Sequence, residues 1–364
     1  MINWRTALLP PALAIIFAML LSSVALLISG ANPLEAFATM GAQLFHGNTA
    51  VSTVNLAIVY YLAGLAAAIG FQMNVFNIGV EGQYRFAAVV AAIVGAWMEL
   101  PPVLHVIAIL VVAMFSGALY ALLPALLKVY RGVSEVITTI MLNSIVFGIV
   151  AFLINPEQFG VLHGNNLSTA EIAPSGRIPG IPLGEAGTLF GFIVIAGALG
   201  YGYWFMLTRT RFGFELKASG ESKTAAAAGG VSARKMTLAA MLLSGAVAGL
   251  VAMPELLGRD YVYAMTATQG YGFTGLAVAL LGRNHPAGIA FGALLWAFLD
   301  RSAVSLESIG IPSEIATIMQ GTIVLSVVVA YEIVRRADLA AEQRRVGRAG
   351  RNGQPAGVAE GGAV

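Results

Sequence analysis

The feature that most constrains this chain is a series of apolar stretches about as long as a bilayer is thick. Residues 7–29, 103–127 and 188–208 contain no Asp, Glu, Lys or Arg. A helix needs roughly 20 apolar residues to cross a hydrocarbon core of about 30 Å. Only 10% of the 364 residues are charged and 58% are apolar, against roughly 25% charged in soluble domains. So few polar groups cannot cover a water-facing surface, so the solvent of this chain is lipid. The run at 7–29 exceeds the 7–15 residues of a signal-peptide core and is expected to be retained as a first span.

Ten spans are expected, near 7–29, 50–71, 84–98, 103–127, 136–154, 188–208, 236–253, 271–282, 286–300 and 313–334. The fold class is an all-α polytopic membrane protein. Segments 84–98, 271–282 and 286–300 reach only about 18–23 Å as straight helices. Short, Gly-interrupted segments need shelter from neighbours and point to a solute path. Lys and Arg set the orientation. With ten spans, seventeen of these residues fall on one side, including Arg5, Arg85, Lys128, Arg131, Arg283 and six in 209–235. Only Arg177, Arg259 and Arg301 fall on the other. Both termini are therefore expected in the cytoplasm. Residues 1–334 form the transmembrane domain, the Pro/Gly/Asn-rich loop 155–187 faces outward, and the Gly/Ala/Arg-rich tail 335–364 is expected to be a disordered cytoplasmic segment.

Local signals agree with helices. Asn32-Pro33-Leu34-Glu35 has the order of an N-cap, a first-turn Pro and an N3 acid, and should open a short amphipathic helix. Ser134 and Ser313 stand as caps before Glu135 and Glu314. The pairs Gly245/Gly249 and Gly288/Gly292 allow close helix approach.

Several chemistries are excluded. The chain has no cysteine, so disulfides, thiolate metal sites and thiol catalysis are absent. Net charge is +2 and the basic residues are grouped by loop, which argues against nucleic acid. The four histidines (46, 105, 163 and 285) lack ligand spacing and are expected at interfaces or in loops. Gly270-Tyr-Gly-Phe-Thr-Gly275 matches G-x-G-x-x-G, but a dinucleotide site needs a preceding strand, and here an apolar segment follows. Gly220-Glu-Ser-Lys223-Thr224 lacks the second P-loop glycine, so the chain is expected not to hydrolyse ATP.

The stretch 73–83, MNVFNIGVEGQ, sets Asn77, Glu81 and Gln83 between apolar blocks, with Gly79 and Gly82 loosening the helix. Polar groups beside broken backbone at membrane depth are costly unless they line a cavity or a helix junction. Two readings stay open: a bend on the solute path, or a structural hinge in which Glu81 pairs with Arg85 one turn on. Asn143, in the fifth span, should face the interior, as pore lining or as an interhelical hydrogen bond.

These blocks carry a resemblance. NIGVEGQ at 77–83, SEVITTIMLNSI at 134–145, GFELKASG at 213–220, LLSGAVAGL at 242–250, GFTGLAVALLGR at 272–283 and IPSEIA at 311–316 resemble the permease subunits of ABC importers. That superfamily includes simple-sugar and branched-chain amino acid permeases, and the chain is most similar to its nucleoside-type branch. The resemblance covers about residues 55–335. It implies two related helical halves and alternating access for a nucleoside or related ribosyl or sugar solute across the inner membrane of a bacterial-type cell. It also implies a second permease subunit (identical or different), a cytoplasmic ATPase pair holding ATP and Mg, and an extracytoplasmic solute-binding protein. No cofactor is expected on this chain. The ATPase-coupling segment falls in 213–235, with Glu215, Lys217 and Gly220 in the GFEL-A-G block, and Thr224, Ala226 and Gly230 in a short coupling helix with its glycine stop. Asn77, Glu81, Gln83 and Asn143 are the expected path residues, as hydrogen-bonding groups and not catalysts. Tyr84-Arg85 departs from the aliphatic residues more usual in the family, and Met253-Pro254 departs from small residues and suggests a kink. The competing expectation is an ion-coupled secondary transporter of a small polar solute.

Overall fold

The computed structural model of the protein describes residues 4–336, except 45–46, 164–165, 268, 313, 328, 331–332, 334–335. The expected tail 335–364, apart from Arg336, and the Ser313 cap lie outside the described residues. The chain divides into two units, 34–316 and a smaller one of 1–33 with 317–364. In the smaller unit, helix α1 (Trp4–Ile28) places Ser22 Oγ 3.3 Å from Thr322 Oγ1.

The larger unit contains α2 (Pro33–Gln43, whose first residue adjoins it), α3 (Thr49–Phe71), α4 (Val80–Trp97), α5 (Pro102–Arg131), α6 (Glu135–Leu153), α7 (Phe192–Arg209), α8 (Arg211–Glu221), α9 (Lys223–Ala228), α10 (Ala233–Ala248), α11 (Met253–Glu255), α12 (Tyr271–Leu281) and α13 (Pro286–Ser308). Among the described residues, five helices are long and apolar enough to cross a membrane, or six if 16–28 and 33–43 are counted as one span. The fold is polytopic and helical. The 155–187 loop adds two small antiparallel hairpins, β1 (Gly160–His163) with β2 (Asn166–Thr169) and β3 (Ile181–Pro182) with β4 (Thr188–Leu189).

Two of the three segments expected to be short are full-length. α4 starts at Val80 and has 18 residues, about 27 Å; α13 has 23, about 35 Å. The early start of α4 comes from the polar run Glu81–Gln83, whose side chains find partners inside the protein. The late end of α13 carries it through Asp300 and Arg301. Asp300 accepts a hydrogen bond from Tyr60. α12 remains short, at 11 residues.

α3 is the central helix, with 78% of its apolar window buried. It packs against α7, α10, α12 and α13, while α5 packs against α4 and α10. Small residues permit these contacts. A Cβ on Gly275 of α12 would stand 2.6 Å from the Ala63 carbonyl carbon of α3. A Cβ on Gly117 of α5 would stand 2.2 Å from the Gly245 carbonyl oxygen of α10, and one on Gly249 would stand 2.1 Å from the Ala113 carbonyl oxygen. Without a hydrophobic force between helices in lipid, such close backbone packing supplies the attraction.

Helix ends follow local chemistry. α5 opens on Pro102 and closes on Gly132 at φ 68°, with the Val133 N–H returning to the Leu127 carbonyl. Ser134 occupies the N-cap of α6 but makes no side-chain capping bond. α10 stops at Ala248, and the chain resumes at α11 with Pro254 in its first turn, then a π-helical turn at Leu256–Asp260. His105 is a further departure from expectation. It is fully buried, its ring nitrogens 2.8 Å from Ser175 Oγ and 2.9 Å from the Gly95 carbonyl, and so ties α5 to α4 and the 155–187 loop.

Candidate functional site: a buried junction of broken helices

Residues 72–79 are non-helical between α3 and α4, and residues 261–267 and 269–270 are non-helical before α12. The start of α4 and the start of α12 meet. A Cβ on Gly272 would stand 2.3 Å from the Glu81 backbone nitrogen, so only glycine allows this approach.

Glu81 is the link. Its carboxylate accepts bonds from the Gly270 N–H (3.0 Å) and the Gly272 N–H (3.0 Å) at the start of α12. It also accepts from Tyr84 Oη (3.0 Å) and Arg85 Nε (2.9 Å) on its own helix. Helix N-termini carry free N–H groups and partial positive charge. The G-x-G-x-x-G run therefore does present an anion site, and the chain's own carboxylate fills it. The side chains of Glu81 and Arg85 are each 3% exposed. Arg85, assigned from charge counting to the cytoplasmic side, is thus an interior residue. Its ion pair with Glu81 is what makes that burial tolerable. Sixteen basic residues against three still favour the same orientation.

The other expected path residues lie in the same junction. Asn77 and Gln83 exchange side-chain amide bonds (2.9 and 3.0 Å), Asn77 Oδ1 accepts from the Gly79 N–H (3.1 Å), and Asn77 Nδ2 donates to Ser244 Oγ (2.8 Å). Ser244 passes the link on to the Ala66 carbonyl at 2.6 Å. Asn143 Oδ1 accepts from the Gly82 N–H (2.9 Å), and its Nδ2 donates to the Ile78 carbonyl (3.0 Å). The structure brings Asn77, Glu81, Gln83 and Asn143 together, all buried, each bonded to the protein itself. They satisfy backbone that leaves the helical ladder at membrane depth.

Sequence reasoning missed an aromatic group beside them. The Tyr271 ring centroid is 5.8 Å from that of Tyr60 and 5.8 Å from that of Tyr84, and Tyr271 Oη donates to Glu255 Oε2 at 2.6 Å. No spacing rule joins positions 60, 84, 255 and 271; the available signal was polar residues in apolar runs.

The basic loop 213–235 folds as the helices α8 and α9. Thr210, Ser222 and Ser232 cap α8, α9 and α10 through their hydroxyls. Glu215 pairs with Arg211 at 2.7 Å, Lys217 and Thr224 are exposed, Ala226 is buried, and Gly230 turns the chain at φ 81°. Gly220 packs directly on the end of α3: a Cβ there would stand 2.1 Å from the Gln72 carbonyl oxygen.

Beside the 155–187 loop, a cavity of about 860 Å³ is lined by Arg177, Arg259 and Arg301 together with Asn55 and Tyr261. Arg177 stacks 4.1 Å above the Tyr261 ring centroid.

A helical membrane protein with broken helices meeting in its interior, and a capped helix pair outside the spans, has the form of a transport permease. Residues 49–328 match the family described as branched-chain amino acid transport system / permease component, and the chain belongs to it. It is 34% identical over 340 residues to the guanosine ABC transporter permease protein NupP of Bacillus subtilis, covering 92% of this chain and 96% of that protein. It is 31% identical to the nucleoside ABC transporter permease protein NupB of Lactococcus lactis (91% and 93% covered). It is 29% identical to the glucose ABC transporter permease protein TsgB13 of Haloferax volcanii (92% and 90% covered). No solved structure matches the chain.

Proposed function

We propose that this chain is the permease subunit of an ATP-driven ABC importer that moves a nucleoside or related ribosyl or sugar solute across the cytoplasmic membrane of a bacterial-type cell. The relatives named for guanosine and nucleosides support the solute class, and the one named for glucose sets its breadth. The single observation that carries the mechanism is the seating of α8 on the break before α4, through Gly220 against Gln72 and Asn74. In this reading the chain crosses ten times in two related halves, with both termini in the cytoplasm. The start of α4 and the start of the short α12 meet near mid-membrane.

ATP and Mg act on a cytoplasmic ATPase pair, not on this chain. Closure of that pair pushes the helix pair through Thr224, Ala226 and the exposed Phe214, and the motion passes from Gly220 to residues 72–79. The solute arrives from an extracytoplasmic binding protein, and a second permease subunit completes the pathway. Asn77, Glu81, Gln83 and Asn143 frame the path by holding the two broken helices together, so that it opens and closes as a unit.

The test uses the absence of cysteine: Thr224→Cys supplies the only thiol on the chain. Purified in mild detergent, the protein is expected to bring an ATPase with it, and the introduced thiol is expected to crosslink to that ATPase. A chain that purifies alone under several mild conditions, with uptake that collapses on adding a protonophore while ATP is held constant, would overturn this reading in favour of an ion-coupled carrier.

A further inference from the structure

The transport reading leaves the cavity beside the 155–187 loop without a role. Its volume of about 860 Å³ falls in the range of small-molecule sites, about 300–1,000 Å³. Three arginines line it from separate segments: Arg177 from the loop, Arg259 from the π-helical turn after α11, and Arg301 from α13. No Asp or Glu lines it among the described residues. These are the same three basic residues that the ten-span expectation sets apart from all the others. A concave site walled by one sign of charge focuses the field on what enters it.

The three arginines differ in what already holds them. Arg177 donates to Glu171 at 2.7 Å, and Arg259 donates to Glu255 at 3.0 Å and to Asp260 at 2.7 Å. Arg301 makes no ion pair among the described residues, and its Nε is buried with no hydrogen-bond partner there. A buried charged donor left without a partner costs stability. The backbone at the cavity is also unusual. Tyr261 sits at φ 56° directly after the π-helical turn, a conformation uncommon for a bulky residue. π-turns and strained residues cluster at ligand sites. The turn is held in place, since the Ile172 and Ile178 N–H groups donate to the Tyr261 and Leu257 carbonyls at 2.9 and 2.8 Å.

We propose that this cavity binds an oxyanion, a phosphate or carboxylate group, with Arg301 as its counter-charge. A guanidinium fork matches two oxygens of either group. Arg177 and Arg259 keep N–H donors beyond those their carboxylates occupy. The Asn55 amide, in contrast, is fully used on the Thr188 carbonyl and the Phe190 N–H, which favours an anion over a neutral ligand. One anion held by all three arginines ties α13 to the loop and to the π-helical turn, so occupancy stabilises 155–187. The anion comes either from solution or from a lipid headgroup.

The experiment uses the full chain purified in a neutral detergent. Its melting temperature and the rate of protease cleavage within 155–187 are followed as inorganic phosphate or, separately, phosphatidylglycerol is added. Chloride at equal ionic strength and phosphatidylcholine are the controls. The titrations are repeated for Arg301→Gln, for Arg301→Lys, which keeps the charge and loses the fork, and for Arg211→Gln, an exposed arginine of α8 outside the cavity. Expected are a higher melting temperature and slower cleavage with phosphate or phosphatidylglycerol but with neither control. Arg301→Gln should weaken the apparent affinity about tenfold, the loss of a charge-assisted bond; Arg301→Lys should weaken it less, and Arg211→Gln should leave it unchanged. A response to phosphate assigns a free anion, and a response to phosphatidylglycerol alone assigns a headgroup. No response to either, or an undiminished response in Arg301→Gln, overturns the proposal. If Arg301→Gln does not fold, an undiminished response in Arg301→Lys overturns it instead. A merely structural Arg301 shifts the melting temperature without changing what the anion does.

Discussion

The side-chain amide of Asn74 donates a hydrogen bond to the Gly220 carbonyl at 2.6 Å, 146 positions away in the chain. Asn74 sits at φ 52°, in the left-handed region that Asn tolerates better than most residues. The bond ties the end of α8 to the first turn of the break between α3 and α4. Three residues later Asn77 reaches Ser244, and four beyond that Glu81 reaches α12. One short stretch of chain thus touches both the end of α8 and the interior junction.

Asn74→Gly keeps the backbone conformation and deletes the bond. Uptake is expected to fall between threefold and tenfold, about 1 kcal/mol, while ATP hydrolysis by the assembled transporter persists. The ratio of solute moved to ATP consumed, measured in vesicles, checks this. A parallel fall in both rates with an unchanged ratio would remove Asn74 from the coupling route.

Glu81→Gln replaces a carboxylate that accepts four hydrogen bonds with an amide that has one acceptor oxygen. An NH₂ group must then face N–H donors, and Arg85 loses its counter-charge. The cost expected for breaking a buried pair from one side is about 3–5 kcal/mol. Uptake should drop and the melting temperature in detergent should drop with it. An unchanged melting temperature with uptake intact would show that the carboxylate is dispensable.

Gly117→Val forces side-chain atoms into the 2.2 Å gap before the Gly245 carbonyl. Overpacking of this kind costs typically 1–3 kcal/mol, and more against backbone that cannot yield. A lower melting temperature and weaker expression are expected. Full stability would mean that α5 and α10 can separate freely.

Asn55 of α3 anchors the end of the 155–187 loop, donating to the Thr188 carbonyl at 2.9 Å and accepting from the Phe190 N–H at 2.8 Å. Asn55→Ala removes both, for about 2 kcal/mol. Faster protease cleavage within 155–187 is the expected outcome, read on intact membranes from the outer side. An unchanged cleavage rate would show that the hairpins hold the loop without this anchor.

By itself the sequence determined the solvent, the order of the helices, their preferred ends and the family, because these follow from composition, apolar run length, capping residues and blocks such as NIGVEGQ. The helical nature of 213–235 was legible too, since Ser222, the alanine run and Gly230 act within one turn of themselves. What only the tertiary structure decided was where polar side chains point. Glu81 and Gly272 are 191 positions apart, and nothing in either segment says that one will cap the other. Arg85 showed the limit most clearly. Charge counting placed it in the cytoplasm because a lone arginine is cheapest in water, whereas its burial under the Phe147 ring, beside a Glu81 held by the Gly270 and Gly272 N–H groups, exists only once distant segments have packed. Helix length shifted for the same reason. α4 begins at Val80 and not near residue 84 because Asn143, from another helix, accepts the Gly82 N–H and donates to the Ile78 carbonyl.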